Sequence, residues 1–202
     1  MVKLLCAGSL ILLVAGCRGE PAGAKVSFVE TRVDESQSPL PFVIALANSG
    51  GAATDATGVK LEIVDGFELP TAGAKEAAGE LSAIDSAACH IEMLAGHPTI
   101  IPAHGEGVAC GFVRWERPAG SPPAMGVVSA RFLATLADGE SIRTPPLTFV
   151  LASEAGWADK VGDLAALNRE EANAALERIA ALPGARTPGV DRLVEQLREL
   201  AK

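Results

Sequence analysis

The stretch that decides the fold is "VIALANSGGAATDATGVKLEIVDGFEL", residues 43 to 69. Near its centre the apolar side chains of Val59, Leu61 and Ile63 alternate with those of Lys60 and Glu62. Strict alternation is typical of a strand with one buried and one solvated face, because successive side chains of a strand point to opposite sides. The pattern therefore predicts an antiparallel sheet with one face in a core.

Similar runs recur on both sides of this stretch. Between residues 26 and 152, extended segments are separated by clusters of Gly, Pro, Asn and Asp, the spacing expected of an all-β sandwich. The predicted strands include "KVSFVETRV", "PFVIALA", "GVACGFVRW", "VSARFLATL" and "PPLTFVLA", with one or two more between residues 79 and 102. Asp138-Gly139 predicts a hairpin turn with positive φ at both residues, so the last two strands should pair side by side.

This part of the chain resembles the immunoglobulin-like domains known as the cell-adhesion-related domain found in bacteria. Those domains commonly have an Asn-x-Gly loop after the second strand, an alternating strand, and a Pro-x-Gly-Glu-like turn before a late strand. Asn48, Ser49 and Gly50 match the loop, and "PAHGE", residues 102 to 106, matches the turn with one inserted residue. The resemblance covers residues 26–152. It implies an immunoglobulin-like antiparallel β-sandwich and brings no catalytic residues with it.

The first residues, "MVKLLCAGSLILLVAGC", have the layout of a secretory signal: one early positive charge at Lys3, then apolar and small residues as far as Gly16. This run is too short to cross a membrane. Its last four residues, "VAGC", resemble the lipobox of bacterial lipoproteins. That resemblance implies cleavage after residue 16 and acylation of Cys17 with fatty chains such as palmitate. The alternatives are an ordinary signal peptide and a buried apolar helix.

The lipoprotein interpretation divides the N-terminal region into a signal peptide, residues 1–16, and a lipidated tether, residues 17–25. The eight tether residues after Cys17 reach less than roughly 30 Å, which keeps the folded part close to its membrane. In the sorting rule known for enteric lipoproteins an aspartate after the lipidated cysteine retains the protein in the inner membrane. Arg18 occupies that place here, which implies anchoring in the outer membrane.

The charge of the chain excludes one class of partner. It carries 17 basic and 25 acidic residues, a net charge of −8. An acidic surface repels nucleic acid and anionic headgroups, so we expect no partner that is held through its phosphates.

The C-terminal segment, residues 153–202, changes to a helical pattern. Asn168 followed by Glu171 predicts a capping box, and Pro183-Gly184 should end that helix. Thr187 then predicts the cap of a second helix with Pro188 in its first turn, so the two form a helical hairpin. A preceding segment with Trp157, Val161 and Leu164 at helical spacing predicts a further helix or an earlier start of the first one.

The second helix of this hairpin carries an apolar stripe that includes Val190, Leu193 and Leu197. Helices this short are marginal in water by themselves, so the stripe must be buried against something. It can pack on the sandwich or on the other helix, or it can receive a partner protein. The stripe is therefore the candidate partner-binding surface that the sequence offers.

The stretch "AACHIEMLAGHPTIIPAHGEGVACGF", residues 87 to 112, raises a question of chemistry. With Cys6 removed and Cys17 acylated, Cys89 and Cys110 are the remaining thiols, in a compartment that oxidises paired thiols. These residues predict a Cys89–Cys110 disulfide. Such a bridge would stabilise the fold by about 3 kcal/mol in the chain-entropy treatment.

A metal site is the alternative for this stretch. His90, His97 and His104 recur every seven residues, but the Gly and Pro residues between them exclude one continuous helix, and no tight Cys-x-x-Cys or His-x-x-x-His pair is present. Together with Met93 they are candidates for copper(I) or zinc. The alternative for the histidines is solvent-exposed loop positions, and no metal or other cofactor is predicted.

Enzyme signatures are absent from the sequence: it contains no G-x-S-x-G, S-x-x-K or H-E-x-x-H motif, no P-loop and no dinucleotide fingerprint. The sequence therefore predicts a non-catalytic envelope lipoprotein that acts through protein–protein contact or as a structural module. The alternative function is a periplasmic metal-binding or chaperone-like factor.

Overall fold

The structure, a computed structural model, describes residues 23–69, 81–95, 99–119, 124–153 and 167–202. These residues are mainly β, with two sheets followed by two C-terminal helices, as the sequence predicts. The strands are β1 (Val26–Val33), β2 (Leu40–Asn48), β3 (Thr54–Leu69), β4 (Cys89–Met93), β5 (Ile100–Ile101), β6 (Gly105–Trp115), β7 (Met125–Leu136), β8 (Ser141–Arg143), β9 (Leu147–Ala152) and β10 (Ala185–Arg186). The helices are α1 (Arg169–Ala181) and α2 (Pro188–Leu200).

Two sheets of different connectivity form from these strands. The first sheet has the order β1-β2-β6-β4 and is antiparallel throughout. The second sheet has the order β10-β9-β7-β3-β5, with β8 also paired to β7. Its β10 comes from the predicted helical segment and pairs in parallel with β9, so the C-terminal part also contributes to the sheet.

The two sheets share one hydrophobic core. Alternate residues of β2 and β7 point into it, and the Phe42 and Phe132 rings meet across it with their centroids 4.9 Å apart. Phe149 of β9 continues this aromatic row at 6.4 Å from Phe132. The alternating runs in the sequence therefore bury the face that the period of two predicts.

The two helices cover the other face of the second sheet at one end. There Phe67, Met125, Val127 and Val150 form a second core with the buried side chains of α1 and α2. Residues 125–130 of β7 are consequently buried on both sides, whereas residues 131–136 alternate between buried and partly exposed positions. Burial on both faces explains why this half of β7 reads as a continuous apolar and small-residue run.

Asn48 organises the loop that follows β2. Its side-chain oxygen accepts hydrogen bonds from Lys25 N (3.0 Å) and Gly50 N (2.9 Å), and its amide nitrogen donates to Ala52 O (2.8 Å). Asn48 is itself buried, so these bonds satisfy a polar side chain that would otherwise be costly. The Asn-x-Gly sequence is thus used to join the start of β1 to the end of β2.

The Asp138-Gly139 turn joins β7 to β8, and β7 also pairs with β9, so the predicted pairing of the last strands is confirmed. The predicted turn geometry is wrong in one respect, because only Gly139 has a positive φ, of 88°. Asp138 instead accepts a hydrogen bond from Glu140 N through its side chain. Gly139 N bonds to Leu136 O, which is the geometry of an ordinary turn followed by one left-handed residue.

The two helices begin in different ways. The predicted capping box of α1 is confirmed: Asn168 accepts from Glu171 N, and Glu171 accepts from Asn168 N. Thr187 is the N-cap residue of α2 and Pro188 opens the helix, as predicted, but the Thr187 side chain makes no capping hydrogen bond. The cap comes instead from Glu35 in the β1–β2 turn, whose carboxylate accepts a hydrogen bond from Gly189 N at 2.8 Å.

The same turn protects the free edge of β9. In this turn Glu35 accepts a hydrogen bond from Val150 N (2.6 Å) and Ser38 donates one to Ala152 O (2.9 Å). Thr187, directly after β10, donates its backbone N–H to Thr148 O (3.0 Å). An uncovered edge strand offers its backbone groups to other chains, and here side chains and β10 occupy them.

Some predictions fall on residues that the structure does not describe. They are the signal peptide and Cys17, the histidine at position 97, and the helical pattern of Trp157, Val161 and Leu164. Among the described residues, neither helix has the length and apolar character needed to span a bilayer.

Candidate functional site

The predicted Cys89–Cys110 disulfide does not form in this structure, where both thiols are free. The reason is the register of β4 on β6, in which Cys89 lies opposite Trp115 and Leu94 N bonds to Cys110 O. The two cysteines are therefore offset by five positions, about 17 Å along the strands. A disulfide requires Cα atoms within roughly 7 Å, so this register excludes the bridge.

The two thiols also lie on opposite faces of the first sheet. Cys89 belongs to the core between the sheets, whereas Cys110 alternates with the core residues Ala109 and Val113 and so points outward. Burial raises the pKa of the Cys89 thiol to about 12, with a smaller contribution from the charge of Asp85. Burial also raises the pKa of Cys110. Both thiols are therefore protonated and weakly reactive at neutral pH.

The candidate metal ligands are not brought together. On β4, Met93 packs against the core, whereas His90 lies on the outer face with its Nε2 3.2 Å from Glu116 Oε1. His104 lies in a left-handed turn before β6, with a φ of 52°. His90 lies opposite Arg114 near the other end of β6, so the two histidines are about 30 Å apart along this strand. Within the described ranges, no group of three or more His, Cys, Asp or Glu side chains is arranged to hold a metal ion.

The candidate partner-binding stripe on α2 is covered by the protein itself. Val190, Leu193 and Leu197 are buried in the second core, against the outer face of the second sheet and against α1. The prediction that these three residues receive a partner is therefore wrong for the folded chain. The alternative given with it, packing on the sheets and on the other helix, is the one that the structure supports.

The structure contains an apolar surface that was not among the sequence predictions. It lies on the outer face of the first sheet, on the central strands β2 and β6 and at Leu94, the residue directly after β4. We call it the open-face patch. Its members alternate with core residues and so point away from the core: Pro41, Val43, Ala45, Ala47, Leu94, Val108, Cys110 and Phe112.

The open-face patch is accessible although it is apolar. Val43 and Leu94 are 39% and 40% exposed, and most of the other members are half-buried. In the register of the sheet, Val43 lies opposite Cys110, Ala45 opposite Val108, and Pro41 opposite Phe112, so the patch is contiguous. Contiguous exposed apolar patches on soluble domains mark interaction surfaces more often than scattered single residues do.

Charged side chains form the rim of this patch. On the β1 side Arg32 lies 2.7 Å from Glu30, and on the β4 side Arg114 lies 2.7 Å from Glu92. The hydrogen bond from Arg32 lowers the pKa of Glu30. An apolar centre with a polar rim is the usual anatomy of a protein–protein interface.

A sequence signal for this surface exists. "PFVIALA" and "GVACGFV" contain apolar or small residues at the positions that alternate with the core, where a solvated sheet face would have polar ones. A continuous apolar run of this kind predicts that both faces of the strand are covered in the functional state. The helices cover the second sheet in this way, but no described element lies over the first sheet.

Comparisons with known proteins add little to this description. No family model and no curated protein matches the chain. Solved structures with some likeness include target SoR45 of the Northeast Structural Genomics Consortium (17% identity, 63% of this chain and 85% of that chain, TM-score 0.20). Another is the putative ApaA protein from Bordetella pertussis, with 13% identity over 65% of this chain and 94% of that chain, at a TM-score of 0.22. A third is AvmM, described as catalysing macrocyclization in alchivemycin A biosynthesis, with 12% identity over 69% of this chain and 94% of that chain, at a TM-score of 0.22. Likenesses at these TM-scores carry no argument about fold or activity.

Proposed function

We propose that this protein is a lipid-anchored lipoprotein of the cell envelope that works without catalysis, by binding a protein partner through the open-face patch. Cys17 is the lipidated residue, and the outer membrane is the anchoring membrane. The two sheets are an immunoglobulin-like β-sandwich that presents this surface. The contact surface is this sheet face rather than the apolar stripe of α2.

The observation that carries the proposal is the unequal covering of the two sheets. The chain uses α1 and α2 to cover the apolar outer face of the second sheet. The outer face of the first sheet is also apolar at its centre, yet Val43 and Leu94 remain exposed there. Exposed apolar area of this extent is unfavourable in water, so its presence is best explained by a partner that covers it.

The immunoglobulin-like assignment is supported by the shared core between the sheets and by the loop at Asn48. The buried Asn48 side chain fixes the start of β1 against the turn after β2. A sandwich of this kind provides a rigid frame, and rigid sheet faces lose little conformational entropy when they bind.

The anchoring half of the proposal is tested by metabolic labelling with an alkyne analogue of palmitate. We expect label on the mature protein and a mass that corresponds to cleavage before Cys17. Cys17→Ser should abolish both the label and the cleavage. A mature protein that retains its first sixteen residues, or that carries no lipid, would contradict this half.

The binding half is tested with a photoreactive amino acid placed in the living cell. At Phe112, inside the patch, it should give adducts of discrete mass in the envelope fraction. At Arg192, on the exposed side of α2, it should give none. Val43→Asp should remove the Phe112 adducts because it buries an unpaired charge in the contact. Absence of any adduct from Phe112 would refute the open-face patch as the contact surface.

A further inference from the structure

The helices leave one half of the outer face of the second sheet uncovered. The turn between α1 and β10 marks their limit, because Pro183 O accepts hydrogen bonds from Ser129 Oγ (2.6 Å) and Thr148 Oγ1 (2.9 Å). Beyond this line the outer face is formed by residues 57–62 of β3, residues 131–136 of β7, and β8. Five basic side chains lie on or beside this uncovered half, which we call the basic surface: Lys60, Arg131, Arg143, Arg178 and Arg186.

The register of the strands places three of these cations around Leu133. Lys60 of β3 and Arg143 of β8 lie on either side of Leu133, so their Cα atoms are about 10 Å apart. Arg131 lies two residues along β7 from Leu133, on the same face and about 7 Å away. Phe132, between these two, points into the shared core, so the three cations point outward. They form a triangle of positive charge around a half-buried apolar side chain.

Arg178 and Arg186 lie where this half of the sheet meets the helices. Arg178, in the last turn of α1, pairs with Asp65 of β3 at 3.1 Å. Arg186 of β10 donates a hydrogen bond to Ile179 O at 3.3 Å, which offsets the partial negative charge at the C-terminal end of α1. Glu177 belongs to the same turn, but it lies on the side of α1 opposite the buried residues and is exposed. The border with the helices is therefore positive as well.

The acidic residues of the described part do not cancel the charge of the basic surface. Its acids are Asp65 and Glu62, and Glu62 lies 3.5 Å from Arg143, so five positive charges stand against two negative ones. Neither Lys60 nor Arg131 has an ion-pair partner among the described residues. Other acids on this half of the sheet lie about 10–17 Å along the strands, where salt screens them: Asp55, Asp138 and Glu140. The basic surface thus carries a charge of about +3 on a chain whose net charge is −8.

The shape of the basic surface favours a narrow partner over a flat one. The two helices stand on the same face of the sheet, and a packed helix is about 10 Å thick, so the uncovered half lies roughly 10 Å below them. This recess is about 20 Å long and three strands, or about 14 Å, wide. A flat bilayer would meet the helices and the acidic β7–β8 turn before it reached the cations. A single peptide segment, as a strand or a helix, fits the recess.

From its charge and shape we propose that the basic surface binds an acidic peptide segment of a protein. Carboxylates of the segment pair with Lys60, Arg131 and Arg143, and an apolar residue of the segment packs on Leu133. Guanidinium groups bind carboxylates through two parallel hydrogen bonds, and complementary charge speeds the encounter with the correct partner. The site is separate from the open-face patch, which lies on the outer face of the other sheet, and it needs no lipid at Cys17.

The test uses the purified full-length chain in a neutral detergent and a fluorescein-labelled peptide of twelve residues, made of Glu with two Leu. We expect the anisotropy to rise on binding, and the affinity to fall about tenfold as salt is raised from about 20 to about 200 mM. The same peptide with Gln in place of Glu should not bind. Circular dichroism checks that every protein variant folds.

Two double variants that remove the same charge locate the binding site. Lys60→Gln with Arg131→Gln should weaken the Glu peptide about tenfold, because both carboxylate contacts are lost. Arg192→Gln with Arg198→Gln, on the exposed side of α2, is the matched control and should change the affinity by less than about twofold. Equal weakening by both double variants, or no binding of the Glu peptide at low salt, would overturn the proposal.

A lipid arm separates carboxylates from headgroup phosphates. Thr135→Cys, on the uncovered half, carries a polarity-sensitive fluorophore in the full-length protein placed in phosphatidylcholine vesicles with or without phosphatidylglycerol. The unsubstituted chain controls for labelling of Cys89 and Cys110. We expect the same emission in both kinds of vesicle. A shift that requires phosphatidylglycerol, in a protein that does not bind the Glu peptide, would assign the surface to lipid headgroups and overturn the peptide proposal.

Discussion

The contact between Glu35 and α2 gives the sharpest prediction about stability. One carboxylate joins three groups that are more than a hundred residues away in sequence: Val150 N at 2.6 Å, Thr187 Oγ1 at 2.6 Å and Gly189 N at 2.8 Å. Glu35→Ala removes the cap of α2, worth about 1 kcal/mol. It also leaves the backbone N–H of the buried Val150 without its partner, at about 1–3 kcal/mol. We expect a total loss of about 2–4 kcal/mol in the free energy of unfolding.

Gly189 supplies a second substitution whose sign depends on Glu35. Glycine in a helix is ordinarily improved by Gly→Ala, by up to about 1 kcal/mol. Here an added Cβ would overlap the Glu35 carboxylate, which must then leave its three donors. Gly189→Ala should therefore destabilise the protein by about 2–4 kcal/mol when Glu35 is present. In the Glu35→Ala background the same substitution should be neutral or stabilising.

Urea denaturation followed by circular dichroism measures the four corners of this double-mutant cycle. Gly58→Ala is the control glycine, because a Cβ at Gly58 meets nothing within 4 Å, and its effect should be the same in both backgrounds. Glu35→Gln should fall between Glu35 and Glu35→Ala, since the amide keeps one acceptor oxygen. Effects of Glu35→Ala and Gly189→Ala that simply add, within about 0.5 kcal/mol, would refute the capping role of Glu35.

Three further predictions concern the core and the thiols. Phe132→Ala should lower the free energy of unfolding by about 3–5 kcal/mol, because the ring is fully buried between two other phenylalanines. Val64→Ala, at an exposed position, should change it by less than about 0.5 kcal/mol. Chemical denaturation measures both effects. Burial raises the Cys89 pKa from 9.0 to about 12, so the unfolded chain loses this proton at a lower pH than the folded chain does. The free energy of unfolding should therefore fall by up to about 1.4 kcal/mol per pH unit between these two values. Cys89→Ala should flatten this dependence on pH, and an unchanged dependence would contradict the burial of the thiol. Cys89 and Cys110 should react slowly with a thiol reagent in the folded protein, and both should react once the protein is unfolded without reductant. If neither thiol reacts in the unfolded chain, the two form a disulfide and the β4–β6 register is wrong.

The parts of the fold that depend on local signals could be read from the sequence. The alternation around Leu61, the left-handed glycine at position 139 and the capping box at Asn168 all involve residues within a few positions of each other. Turn, cap and strand preferences act over this range, so the mainly β architecture and the two helices follow from them. The cap of α2 could not be found in this way, because Glu35 lies about 150 residues from it.

Apart from the backbone angle at Asp138, the incorrect predictions depend on how distant elements meet. Cys89 and Cys110 differ by an odd offset in the β4–β6 register, which places them on opposite faces, and that register is set by tertiary packing rather than by either strand alone. The apolar stripe at Leu193 and Leu197 identified a buried face correctly, and of the two alternatives that the sequence left open for it, packing within the chain is the one found. The exposed apolar face around Val43 was not predicted, because a continuous apolar strand does not distinguish a covered sheet face from an exposed one.

The joining of the β1–β2 turn to the start of α2 has a consequence for biosynthesis. In a chain synthesised from its N-terminus, the edge of β9 at Leu147 and Thr148 stays unpaired until residues 185 and 186 arrive, since β10 is made after β9. During that interval the apolar β9 edge can pair with strands of neighbouring nascent chains. A protein truncated before residue 185 should therefore accumulate as insoluble material.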